Sequence, residues 1–245
     1  MTTYKVTLEY DGTNYAGWQY QPQQPTIQAE VEKALTQITQ TRTSVIAAGR
    51  TDAGVHAYGQ VASFQSEKPL SSQEWVRGLN GLLPADIAVQ QVEEVTDTFH
   101  ARYSAKGKIY EYRIAQTPHR SALERYRLWH ISKPLDLKAM QEAGALLVGT
   151  HDFSSFQNSP TDTKNPVCIV ESFTLKQEDM LIRIQIQANR FLKQMVRSIV
   201  GTIMEVGLGK RHPSDIKQIL EAVDRCAAGK TAPPHGLYLI KVLYD

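Results

Sequence analysis

Arg50, Asp52 and His56 fall within seven residues of one another, in the stretch Gly49-Arg50-Thr51-Asp52-Ala53-Gly54-Val55-His56. A cation, a carboxylate and an imidazole are the groups that acid–base or nucleophilic chemistry uses. An arginine two positions before an aspartate suits a carboxylate that must stay ionised, although spacing alone does not put the two in contact. The flanking glycines permit tight folding and close approach of the backbone to a ligand. A plainer alternative is a hairpin whose aspartate makes an Asx-turn and whose arginine is solvated, and composition alone favours it.

Three further places hold groups of chemical interest. Leu192, Met195, Val196, Ile199, Val200 and Ile203 form one broad apolar arc on a helix expected over 191–206. Arg197 falls off the centre of that arc, on the side of Gly201 one turn later, where it is either a surface arginine or a bidentate partner for a carboxylate. Tyr110, Tyr112 and Ile114 share one face of a strand; such tyrosines pack sheets more often than they do chemistry, and a phenol with a pKa near 10 is a reluctant base. Basic residues cluster at Arg102, Lys106 and Lys108 and again at Arg120, Arg125 and Arg127. Either cluster is solvated surface or, beside tyrosines, a phosphate-contacting one. His151-Asp152 is the one tight His-carboxylate pair, and with no third ligand in register it suits a capped helix end better than a metal site.

The elements that must position these groups can be read from periodicity. Val6, Leu8 and Tyr10 alternate with polar residues in a strand, followed by the turn-rich DGTNYAGWQYQPQQP. Thr26 is a suitable N-cap for a helix carrying Ile27, Val31, Leu35 and Ile38. Short strands over 44–48 and 60–65 flank the Asp52 stretch. Ser71 with Glu74 is a capping box opening a second helix, stopped by Pro84, and a strand over 87–95 follows. This is a β-α-β-β-α-β order. The second half repeats it, with a strand over 108–115, a helix over 136–148, strands over 167–175 and 180–188, the helix over 191–206, an added helix after Ser214 and a closing strand over 237–244. The expected fold class is α+β, two split-βαβ (ferredoxin-like) halves with mixed, mostly antiparallel sheets, residues 1–104 forming one half and 105–245 the other.

Composition narrows the function. The 27 Lys and Arg against 25 Asp and Glu leave a net charge of +2, which predicts no strong general attraction to nucleic acid or membrane. No apolar run approaches a membrane span and no leader is evident, so a soluble, cytoplasmic protein is expected. Cys168 and Cys226 lie in unrelated segments, which excludes a disulfide scaffold or zinc finger as the basis of the fold.

In this order, YDGTNYAGWQYQPQQPTIQAEVEKAL, AGRTDAGVHA, GLNGLLPADIAV, FHARYSAKGKIYEYRI, HDFSSF, NRFLKQMVRSIVGTIMEVG and GLYLIKVLY span nearly the whole chain. They resemble the successive segments of the tRNA pseudouridine synthases that act on the anticodon stem-loop, the TruA family. The resemblance implies the pseudouridine synthase fold, a homodimer of two-domain subunits with RNA bound between the domains, and a reaction at tRNA positions 38, 39 and 40 that needs no cofactor and no metal. It gives Asp52 the place of the catalytic aspartate and Arg50 that of an arginine that helps displace the target nucleotide. It gives Tyr110 the place of the tyrosine against the target base, Arg197 that of the arginine paired with the aspartate, and Leu239 that of an apolar residue lining the uracil pocket. Two departures stand out: Lys164-Asn165-Pro166-Val167-Cys168-Ile169 replaces an Arg-Thr-Ile-like stretch, and Lys193-Gln194 stands where relatives often carry aromatic or His residues. A synthase with another RNA target and a catalytically idle RNA-binding module fit the same residues. Pseudouridine mapping separates the first, and a tritium-release assay the second.

Overall fold

The computed structural model describes residues 1–159 and 165–245. Along the chain the elements run β1 (Thr2–Tyr10), α1 (Ile27–Thr39), β2 (Ile46–Ala47), β3 (His56–Ser66), α2 (Ser72–Leu82), β4 (Ile87–Val95) and β5 (Gly107–Gln116). They continue with β6 (Trp129–Ile131), α3 (Leu137–Ala145), β7 (Gly149–Asp152), β8 (Val167–Glu178), β9 (Leu181–Ala188), α4 (Met195–Gly207), α5 (Asp215–Ala222) and β10 (Leu237–Leu243). The class is α+β, with mostly antiparallel pairing. The chain divides into two compact units, Met1–Lys106 with Tyr238–Asp245, and Gly107–Leu237.

In the first unit the period of two along β1 turns Tyr4, Val6, Leu8 and Tyr10 into the core. β1 lies between β3 and β4, antiparallel to both. The side chain of Thr26 accepts from Ala29 N and starts α1, which buries Ile27, Val31 and Leu35. Ser71 and Glu74 form the expected capping box at the start of α2. From α2, Trp75 reaches a cluster with Tyr4 and Phe64, ring centroids 5.2 to 5.4 Å apart. The third strand is longer than its apolar run suggests, beginning at His56 directly after the Asp52 stretch. Its first residues gain a parallel neighbour in β10, His56 opposite Tyr238 and Ala57 opposite Leu239. The closing strand, expected with the second half, therefore belongs with the first unit, because its pairing partner there is remote in sequence.

In the second unit β5 pairs with β9, β9 with β8 and β8 with β7, all antiparallel, while β6 lies parallel on the other edge of β5. Two elements differ from the periodic pattern. The helix expected over 136–148 stops at Ala145, and Leu146, Leu147 and Val148 donate to carbonyls three residues back, a tightened last turn. The helix expected from Phe191 begins only at Met195, since Gln194 adopts a left-handed φ of 58° and Phe191 turns its ring to Tyr110.

Candidate active site

The Asp52 loop is anchored through its backbone. Val55 N donates to Asp52 O at 3.1 Å and closes the turn, while Gly54 N donates to Tyr15 O and Trp18 N to Thr51 O. Gly17 has a φ of 99°, and a Cβ on it would stand 2.6 Å from Thr51 O, so only glycine lets the 12–18 segment lie this close beneath the loop. That segment is in turn tied to the start of α1, with Ile27 N donating to Gly17 O and Gln28 N to Trp18 O. Thr51 is buried with its hydroxyl 2.8 Å from Tyr10 Oη. Gln60 Nε2 donates to Gly49 O at 2.8 Å and to Tyr10 Oη at 3.3 Å. Gly49 and Thr51, on either side of Arg50, are thus held from β3 and β1 respectively, while Arg50 is exposed and Asp52 half-buried.

The same unit brings Leu239 to this end of β3, fully buried beside Ala57. His56 stacks on Tyr238 with ring centroids 4.7 Å apart, and Tyr58 also stacks on Tyr238, at 5.5 Å. His56 Nδ1 stands 3.1 Å from Gly12 N and 3.1 Å from Asp11 Oδ1, so a neutral ring accepts from the amide and a protonated one faces the carboxylate. Sequence reasoning passed over Tyr10, Gln60, Tyr58 and Tyr238. The spacing of His56 and Tyr58 on one strand face was the available signal for that stack, whereas the Tyr10–Thr51–Gln60 group has no local signature.

The second unit holds the other two expected residues. Tyr110 is buried on β5, its ring edge-on to Phe191 with centroids 4.9 Å apart. Arg197 lies in the first turn of α4, half-buried, its Nε donating to Ala232 O at 2.8 Å while Ala232 N donates to Arg197 O. It is not a freely solvated arginine. Tyr112, two residues beyond Tyr110, donates to Pro233 O; burial raises its phenol well above the ordinary value, with the Arg197 charge pulling the other way.

The remaining candidates are accounted for separately. His151 and Asp152 end a strand rather than cap a long helix, and Asp152 Oδ1 accepts from Ser154 N at the following 3-10 turn. Among the described residues no three His, Cys, Asp or Glu side chains are grouped to hold a metal ion, and no helix is long and apolar enough to cross a membrane. Of the first basic cluster, Lys106 pairs with Asp245, Lys108 is buried and Arg102 lies over the Tyr103 ring. In the second, Arg120, Arg125 and Arg127 are exposed, with Arg125 4.5 Å over the Tyr126 ring. Lys164 lies outside the described residues; of the stretch that follows it, Val167 and Ile169 are exposed on β8 and Cys168 is buried.

A family model described as tRNA pseudouridine synthase matches residues 7–104 and 143–245. Over 244 residues the chain is 45% identical to the tRNA pseudouridine synthase A of Acetivibrio thermocellus, covering 100% of both chains. It is 47% identical over 242 residues to the protein of that name from Geobacillus sp. strain WCH70, covering 98% of each. To the Exiguobacterium sp. protein of the same name it is 46% identical over 246 residues, covering 100% of this chain and 99% of the relative.

Proposed function

The chain belongs to the tRNA pseudouridine synthase family, isomerases that convert uridine to pseudouridine in tRNA, and from that premise we propose that it acts on the anticodon stem-loop, at positions 38, 39 and 40, with Asp52 as its catalytic carboxylate. The observation that carries this is the anchored Gly49–Val55 loop, which holds a half-buried carboxylate between an exposed arginine and the start of a strand.

The reaction breaks the N1–C1′ bond, turns the uracil and joins its C5 to C1′; the C5 proton leaves and N1 gains one, with no net redox change. An ionised carboxylate serves either by attacking C1′, forming an ester as uracil departs, or by taking a proton from C2′. Both routes need Asp52 unprotonated and aimed. The role proposed for Arg197, on the family resemblance, is to keep it so. Arg50 takes the space of the displaced nucleotide, Tyr110 stacks on the released uracil, and Leu239 supplies an apolar wall against which the ring turns. The working protein is proposed to be a cytoplasmic homodimer with tRNA as its partner.

Asp52→Asn tests the assignment by tritium release from tRNA labelled at uridine C5. The variant is expected to bind tRNA normally and to lose turnover by about a thousandfold or more. Substantial residual turnover removes Asp52 from the role. Pseudouridine mapping in tRNA from a deletion strain is expected to show losses at positions 38 to 40, and losses confined to other positions would overturn the anticodon assignment. Sedimentation of the free protein at twice the chain mass checks the dimer.

A further inference from the structure

We propose that Arg225 is a positioning residue for Arg197, acting through the 228–232 segment that runs along α4. The proposal rests on the functional role given to Arg197 above, and deepens it.

That segment has no helix or strand of its own, yet it sets the direction of the Arg197 guanidinium, because Ala232 O is the acceptor for Arg197 Nε at 2.8 Å. Segment and helix meet closely, the backbone of the segment lying against Gly201 and bonded to the Thr202 side chain. A Cβ on Gly201 would lie 1.7 Å from Lys230 O, and Gly229 N donates to Thr202 Oγ1 at 2.9 Å. Any displacement of the segment therefore moves the acceptor that aims Arg197.

Arg225 holds the segment in place. From the 3-10 turn Arg225–Ala227, its Nη1 donates to Gly229 O at 3.0 Å and its Nη2 to Thr231 Oγ1 at 2.9 Å, while Nε donates to Asn158 Oδ1. Asn158 closes the circuit. Its Nδ2 donates to Thr231 Oγ1 at 3.0 Å and to Gln194 Oε1, and its backbone N donates to Lys193 O at 3.1 Å. One planar fork thus ties together the segment that orients Arg197 and the two residues that precede α4. Neither lysine nor glutamine reproduces so many fixed donor directions. The partners are carbonyls, an amide and a hydroxyl, so the fork's work is geometric rather than the neutralisation of an acid.

The test combines single-turnover rates on tRNA, tRNA binding and thermal unfolding for Arg225→Gln, Thr231→Val, Thr231→Ser, Arg197→Ala and the Arg197→Ala/Arg225→Gln double variant. Arg225→Gln and Thr231→Val are expected to slow the chemical step roughly ten- to a hundredfold with tRNA affinity within about twofold of the parent. Thr231→Ser, which keeps the acceptor, is expected to restore the rate. The double variant is expected to be no slower than Arg197→Ala alone, because Arg225 acts through Arg197. Should Arg225→Gln fail to fold, the Thr231 pair decides. Parental rates in Arg225→Gln and Thr231→Val beside a slow Arg197→Ala overturn the positioning role alone, as do losses that multiply in the double variant. A parental rate in Arg197→Ala overturns the role of Arg197 itself and the positioning role with it.

Discussion

Tyr10 carries no reacting group, yet its phenol holds Thr51 next to the proposed catalytic carboxylate. Burial pushes its pKa up to about 12, against the hydrogen bonds to Thr51 and Gln60, which pull it down. Burial likewise raises Tyr15, where Asp86 adds to the effect, and Tyr112 and Tyr244. An unfolded tyrosine loses its proton near pH 10. Between that pH and about 12 the native protein holds protons that the unfolded chain has released, so this contribution is complete below pH 10 and fades as the pH rises. Urea unfolding is expected to show stability falling across this alkaline range, less steeply in Tyr10→Phe; equal slopes would deny the buried phenol its perturbed titration. The alternation of Val6, Leu8 and Tyr10 made the burial of Tyr10 legible in the sequence. Its bond to a threonine 41 residues away was not, because a side-chain hydrogen bond from a strand to a remote loop leaves no local pattern.

Helix starts were the most legible feature at the level of elements, since a cap is chemistry between residues two or three apart. Thr26 and Ser71 cap as their sequence contexts predict, and Asp136, expected as the first residue of its helix, caps it instead. The start of α4 was illegible because Phe191 and Leu192 continue its apolar period, while the ring of Phe191 finds a better partner in Tyr110 outside the helix. Two substitutions separate local from tertiary contributions. Ser71→Ala removes the exposed capping box and is expected to cost about 1 kcal/mol with turnover unchanged. Gly201→Ala would gain up to about 1 kcal/mol from helix propensity alone. Against Lys230 O it is instead expected to destabilise by about 2 kcal/mol and to slow turnover as the 228–232 segment shifts. Thermal unfolding and initial rates on both variants check this, and a stabilised Gly201→Ala would show that the helix and the segment are not in contact.

For the whole molecule the net charge of +2 leaves RNA binding to local concentrations of charge. Residues 118–127 hold three arginines against one glutamate, all exposed, and are expected to contact phosphate. Replacing Arg120, Arg125 and Arg127 with glutamine is expected to make the dependence of log K on log salt shallower by about 2 without changing the rate at saturating tRNA. An unchanged slope would make this loop a solvated surface. The repeated periodic order already implied two α+β units, and the reaction class was implied by the resemblance of the GRTDAGVH stretch and its companions to a known family. Periodicity and motifs alike are carried by contiguous residues, so both can be read without knowing which segments meet. The return of β10 to β3, which brings Leu239 beside Ala57, was decided only by the tertiary structure, as were the anchoring of the Asp52 loop by Tyr10, Gln60 and Gly17 and the seating of Arg197 on Ala232. Strand pairing and side-chain hydrogen bonds depend on which distant segments bury one another most favourably, and no single segment carries that information.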